Sequence, residues 1–289
     1  MLDPSPELLP LVYAVIVAWG AVWGSFLNVV IYRVPAGLSV VSPPSRCPSC
    51  ETPIRWWQNM PVVSFALLGG RCGSCRAPIS FRYPAVEAVT AALALAVAVP
   101  WVTAWGQGEL ETWRALAGIG AEHVLVFALV SISLIDADTF MIPDSLSLPL
   151  PLIGIGVAFA VGDVRGVSWQ VAAAGAAAGG FGLLAMQWGY SALTGREGLG
   201  TGDVKLLAGL GAWLGLASLP MVLFLAAVQG LAFAVLSTLW SPKLAEERGL
   251  ASLRHVAMPF GPFLALAGLQ WLLLHRAFAD VLKPLLAIG

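Results

Sequence analysis

Apolar residues in this chain come in long unbroken blocks, separated by short segments that hold most of the charge. Eight blocks stand out, at roughly 9–32, 84–105, 118–136, 145–162, 168–193, 204–217, 219–240 and 256–275, against the ~20 residues a helix needs to cross a bilayer. Each predicts a transmembrane helix, and together they predict an all-α polytopic membrane protein. The sixth block is short and Gly-rich, which points to a tilted, re-entrant or enclosed helix. No periodic internal repeat is apparent.

Composition agrees with that pattern. Hydrophobic residues make up 58% of the 289 positions and charged residues 11%, against about 45–50% and about 25% in average soluble domains. Mean hydropathy is +0.84. A formal charge of −1 leaves no basic field to recruit nucleic acid. The opening MLDPSPELLP carries Asp3 and Glu7 but no Lys or Arg, unlike a secretory signal, so no cleavable leader is expected and the first block reads as a retained helix. Loop charge sets the orientation. An outside N-terminus puts Arg33, Arg46, Arg55, Arg71, Arg76, Arg82, Arg196, Lys205, Lys243, Arg248 and Arg254 on the cytoplasmic side, leaving only Arg114, Arg165, Arg276 and Lys283 opposite. The cytoplasmic loops are then 33–83, 137–144, 194–203 and 241–255. Three regions follow: a first transmembrane helix at 1–32, a cytoplasmic insert at 33–83, and a multi-helix membrane domain at 84–289.

A piece of about fifty residues buries too little core to fold unaided, so the insert calls for a staple. Cys47-Pro-Ser-Cys50 and Cys72-Gly-Ser-Cys75 supply one, since two C-x-x-C knuckles offer four thiolates to one tetrahedral zinc. Disulfides compete with this reading, but a cytoplasmic loop is reducing. A thioredoxin-like redox site would need a βαβ context that is missing. Four cysteine ligands leave no open coordination position, so the expected role is structural.

With only sixteen acids in the chain, those at block edges can be weighed singly, because charge at membrane depth is costly and marks function by default. Asp136 directly follows the third block. Asp203 opens the sixth, after Gly198, Gly200 and Gly202. As plain structure, Asp203 is an N-cap and Asp144 caps the fourth span; for Asp144, capping and chemistry stand side by side. Asp138 reads as a solvated loop residue. The glycines exceed what a cap requires and would permit close approach of a helix or an extended peptide. Lys205 either holds a carboxylate or snorkels. Glu87, on one helix face with Tyr83, needs a partner, and Arg33 or Arg82 is nearest in sequence. Asp136 and Asp203 fall on the same side at similar depth, as a two-carboxylate hydrolase requires. Their own helix ends differ, a C-terminus for Asp136 and an N-terminus for Asp203, which would leave the charge on Asp203 and the proton on Asp136. Ion coupling in a transporter would use the same acids.

The motifs in order resemble the type IV prepilin peptidase family, the GxGD-type aspartic proteases of bacterial inner membranes. The resemblance runs over Gly24-Ser25-Phe26-Leu27-Asn28-Val29-Val30-Ile31-Tyr32-Arg33-Val34-Pro35, the two cysteine knuckles, Arg82-Tyr83-Pro84-Ala85-Val86-Glu87, the segment from Asp136 to Asp144, Gly200-Thr201-Gly202-Asp203, and Met258-Pro259-Phe260-Gly261-Pro262-Phe263. It implies that Asp136 and Asp203 are catalytic. It further implies that prepilins or type II secretion pseudopilins lose a basic leader at the cytoplasmic membrane boundary, after a glycine and usually before Phe. Many members then methylate the new N-terminus with S-adenosylmethionine, an activity for which no residue here stands out. Within the resemblance Glu87 either anchors the insert or positions the basic leader, and Gly200 and Gly202 line a substrate slot. A transporter would show paired broken helices in both halves, whereas this chain has one Gly-rich break. A purely structural subunit would leave the two edge aspartates without a purpose.

Overall fold

The computed structural model describes residues 7–195, 200–240 and 258–286. Gly198, Arg196 and the 241–255 loop with Lys243, Arg248 and Arg254 lie outside the described residues, as do Asp3 and the start of the chain. Among the described residues there are helices, turns and two isolated bridges, and no strand. Six helices are long and apolar enough to cross a membrane: Leu9–Arg33, Arg82–Gly106, Thr112–Thr139, Asp144–Arg165, Trp169–Thr194 and Leu216–Ser237, with Gly261–His275 a shorter apolar helix. The chain is a multi-pass helical membrane protein. Its contacts divide it into two compact units, Met1–Ser131 and Ile132–Gly289.

In the first unit α1 (Leu9–Arg33) packs along a helix that follows the insert. Proline in its first turn costs α1 no hydrogen bond. Within the insert a single 3-10 turn at Trp56–Asn59 precedes the short α2 (Val63–Leu67), and α3 (Arg82–Gly106) follows. Gly20 and Gly24 of α1 bring the two backbones together: a Cβ on Gly20 would lie 2.7 Å from Ala94 Cβ, and one on Gly24 would lie 2.6 Å from Glu87 Cα. Small residues four apart serve this purpose in membranes, where apolar burial gives helices no reason to associate. Beside that contact Ile16, Ala98 and Val102 form a core with Val12, Tyr13 and Leu95 against it. The insert does contain a repeat, too short to register as a period. Arg46–Ile54 and Arg71–Ile79 share the pattern Arg-Cys-x-Ser-Cys-x-x-Pro-Ile. Each copy closes the same way, with bridges Arg46 to Pro53 and Arg71 to Pro78, and with a left-handed residue after the second cysteine at Glu51 (φ 56°) and Arg76 (φ 61°).

α4 (Thr112–Thr139) begins in the first unit and ends in the second. There it is followed by α5 (Asp144–Ser147), α6 (Pro149–Arg165), α7 (Trp169–Thr194), α8 (Thr201–Leu214), α9 (Leu219–Trp240) and α10 (Gly261–Leu286). α8 is the sixth apolar block. Its 14 residues span about 21 Å, short of a ~30 Å hydrocarbon core, and it packs against α6, α7, α9 and α10. Leu206, Leu207, Leu210, Ala212 and Trp213 are fully buried. Enclosure, one of the three expected solutions, is the one adopted.

What encloses α8 is mostly absence of side chain. A Cβ on Gly175 of α7 would lie 2.1 Å from Gly211 O, and one on Gly179 would lie 2.6 Å from Leu207 O. At the far end Trp213 Nε1 donates to Leu150 O at 2.9 Å, and Arg165 donates to Trp213 O at 3.1 Å. Gly175→Val is therefore expected to destabilise this unit by about 3 kcal/mol, the upper end of overpacking costs, because the obstacle is a backbone carbonyl that cannot rotate away. Gly182→Val on the same helix, with open space around its Cβ position, should be mild. Thermal unfolding in detergent of the two variants measures the difference.

Candidate active site and metal centre

Asp136 stands in the last turn of α4. Phe140 closes that turn in the left-handed region (φ 56°), donating its N–H to Asp136 O at 2.9 Å. The Asp136 carboxylate points inward, 5% exposed, and its Oδ2 accepts the Gly261 N–H at 2.9 Å. Asp203 stands in the first turn of α8, 8% exposed. Its carboxylate is close enough to that of Asp136 for the two to interact electrostatically. The fold thus brings the two edge acids together inside the second unit.

Several expectations change at this site. Asp203 is not the N-cap: Gly200 holds the cap position, and the Asp203 carboxylate reaches back to accept the Gly200 N–H. Asp144 does not cap its helix either, since Pro143 holds that place and makes no side-chain bond. Asp144 instead takes the Lys205 ammonium as an ion pair, so Lys205 holds a carboxylate and does not snorkel. Asp138 is exposed on the last turn of α4, within the helix and not in a loop. Gly202 is helical, so its missing side chain gives space and not a special backbone angle: a Cβ there would lie 2.8 Å from Ile142 Cβ. A Cβ on Gly200 would lie 3.3 Å from Asp203 Oδ2. The helix-end argument also loses its asymmetry, because Asp136 ends α4 but faces the N-terminus of α10 through Gly261.

Two residues here were not singled out from the sequence. Gly261 belongs to the Met258–Phe263 motif, where a glycine before a proline signals only a helix start. Ile142 carries no local signal.

In the first unit, Glu87 Oε2 accepts the Val62 N–H at 2.7 Å, with Ser25 as a second partner. Arg33 is not its partner, for its guanidinium donates to Ser39 O at 2.8 Å and Pro43 O at 2.7 Å. Val62 is a β-branched residue at φ 61°, a strained conformation that needs such a hold. Glu87 thereby ties α3 to the backbone at Val62.

Cys47, Cys50, Cys72 and Cys75 are all free, and their sulfurs lie within 4.8 Å of one another. The Cys47 and Cys75 sulfurs are 3.8 Å apart. A disulfide would need about 2.05 Å, whereas sulfurs about 2.3 Å from a shared tetrahedral ion sit about 3.8 Å apart. The N–H groups of Cys75 and Ser74 pull the Cys72 thiol down to about 6, and the Thr52 hydroxyl and N–H lower that of Cys50. The neighbouring sulfurs push the Cys75 thiol the other way, up to about 11, as close-packed thiols do. The four-cysteine cluster can hold a metal.

Comparison with known proteins gives a consistent result. The Bacterial Peptidase A24 N-terminal domain matches residues 18–101, and the Type IV leader peptidase family matches residues 123–235. A Neisseria gonorrhoeae protein named prepilin leader peptidase/N-methyltransferase is 38% identical, covering 91% of this chain and 90% of its own. Proteins of the same name from Aeromonas hydrophila (36%, covering 93% and 92%) and Pseudomonas aeruginosa (38%, covering 86% of each) are similar. No solved structure matches.

Proposed function

The chain belongs to the type IV leader peptidase family, and from that premise we propose that Asp136 and Asp203 are its catalytic pair, removing the basic leader of prepilins or pseudopilins. The observation that carries this reading is that two buried carboxylates, from the end of α4 and the start of α8, lie close enough to interact electrostatically. In that role one carboxylate, ionised, takes a proton from a water as the water attacks the scissile carbonyl. The other, neutral, gives its proton to the carbonyl oxygen, and collapse of the resulting gem-diol passes a proton to the leaving amine. Gly200 adds no side chain beside the Asp203 carboxylate, and Gly202 leaves the room that Ile142 fills. Lys205 and Asp144 tie the segment after α4 to α8.

The rest of the reading follows the same premise. The protein lies in the bacterial inner membrane with its N-terminus periplasmic and the dyad at the cytoplasmic boundary, where a prepilin's leader meets its apolar helix. Cleavage is followed by N-methylation of the new terminus, with S-adenosylmethionine as the methyl-donating co-substrate. Residues 33–83 form the cytoplasmic insert, stapled by one structural zinc on Cys47, Cys50, Cys72 and Cys75, and Glu87 anchors it. The membrane domain spans 84–289. Zinc bound there supplies a cross-link and no chemistry, because four thiolates leave no open position. Purified protein is therefore expected to carry about one zinc, measured by plasma mass spectrometry. Replacing Cys50 and Cys75 with Ser should release it and open the insert to protease; zinc-free protein with both pairs oxidised in cells would overturn the assignment. The function itself is tested with a synthetic prepilin in detergent, reading product mass. Leader loss is expected with or without S-adenosylmethionine, and the gain of one methyl group only with it.

A further inference from the structure

The two glycines that flank the dyad face one and the same side chain. A Cβ on Gly202 would lie 2.8 Å from Ile142 Cβ and 3.2 Å from its Cγ1. A Cβ on Gly261 would lie 3.0 Å from Ile142 Cδ1, besides 2.6 Å from Asp136 Oδ2. Ile142 is 8% exposed, while Phe140 and Met141 just before it stand at 59% and 47%. It is thus the side chain of this link that turns inward, between the residue preceding Asp203 and the residue whose N–H holds Asp136. Both ends of the link are fixed, by the Phe140 N–H on Asp136 O and by the ion pair of Asp144 with Lys205. Its β-branched side chain is stiff at χ1, so it forms a wall and not a flap.

We propose that Ile142 is the specificity-determining residue that confines the substrate position before the scissile bond to glycine. The inference rests on the two-aspartate reading above. A carbonyl held between Asp136 and Asp203 has its own Cα within reach of the wall made by Gly202, Ile142 and Gly261. At that wall the protein has already dispensed with two Cβ atoms to seat Ile142. A third Cβ, the substrate's, finds no room. Exclusion by bulk acts whatever the leader's charge, so it adds a second filter to recognition of the basic leader.

The test uses the full-length protein and synthetic prepilins with Gly, Ala or Val before the bond, comparing kcat/KM for wild type, Ile142→Ala and Ile142→Val. The wild-type preference for Gly over Ala should shrink about tenfold or more in Ile142→Ala and by less in Ile142→Val, in keeping with the worth of a methylene in an apolar site. A general weakening of the fold would lower all substrates together and leave the ratio where it was. If Ile142→Ala cleaves nothing, the ratio is read from Ile142→Val. An unchanged ratio in the active variant, or loss of all cleavage in both, overturns the proposal. Glycine prepilin that is still cleaved at the wild-type rate by Asp203→Asn would instead sink the two-aspartate reading beneath it.

Discussion

Asp136→Asn and Asp203→Asn are each expected to lower leader cleavage by about 10³-fold or more, near the upper range for loss of a general acid or base. Asn keeps the volume of Asp, so neither change opens a cavity beside Ile142 or Gly261, and expression and membrane insertion should be intact. In the proposed mechanism the two carboxylates work on one water and one carbonyl, and so would act as a unit. The double variant should therefore be hardly worse than either single one. Asp138→Asn, two residues from Asp136 but exposed, is the control and should be mild. Rates are read from prepilin processing in detergent. Near-wild-type cleavage by either single variant would remove the dyad, and strict additivity in the double variant would mean that the two acids serve separate steps.

Those acids were legible because the chain has so few. In a sequence 58% hydrophobic and 11% charged, an aspartate at the edge of an apolar block is conspicuous. The helices were legible for the same reason, since an uninterrupted apolar run has few other places to go. The cysteine cluster was legible because its geometry is local: each knuckle is closed by bonds within a few residues, such as Cys47 N–H to Thr52 O. What could not be read is pairing between helices. Sequence pattern says that Glu87 wants a partner and suggests a nearby arginine. The partner is a backbone N–H on a strained valine 25 residues away, which no charge pattern announces. Likewise the Gly-rich sixth block leaves a tilted, a re-entrant and an enclosed helix open until Gly175 is found against Gly211 O. Gly261 reaches Asp136 across 125 residues, and only the folded chain reveals it.

That last contact yields the second large effect. Gly261→Ala keeps the backbone N–H that Asp136 accepts, so it removes no hydrogen bond donor. It does place a methyl group where Asp136 Oδ2 now sits, at 2.6 Å. Either the carboxylate or the start of α10 must move by several tenths of an ångström, and displacement of a reacting group on the order of 1 Å costs about 100-fold in rate. The expected result is a loss of that order in kcat, with thermal stability in detergent close to wild type because the new contacts, with the Asp136 carboxylate and with Ile142 Cδ1 at 3.0 Å, are with the far ends of side chains and not with backbone. Gly230→Ala, on α9 in the same unit, is the matched control: its Cβ would meet Phe263 at an ordinary 3.5 Å, and cleavage should be unaffected. If the Gly261→Ala loss is due to a displaced acid, adding Asp136→Asn to it should cost little further, since the acid is already out of place. A folded Gly261→Ala protein with full kcat would mean that Asp136 leaves this N–H during the reaction, and that α10 is a wall of the site without being the support of its acid.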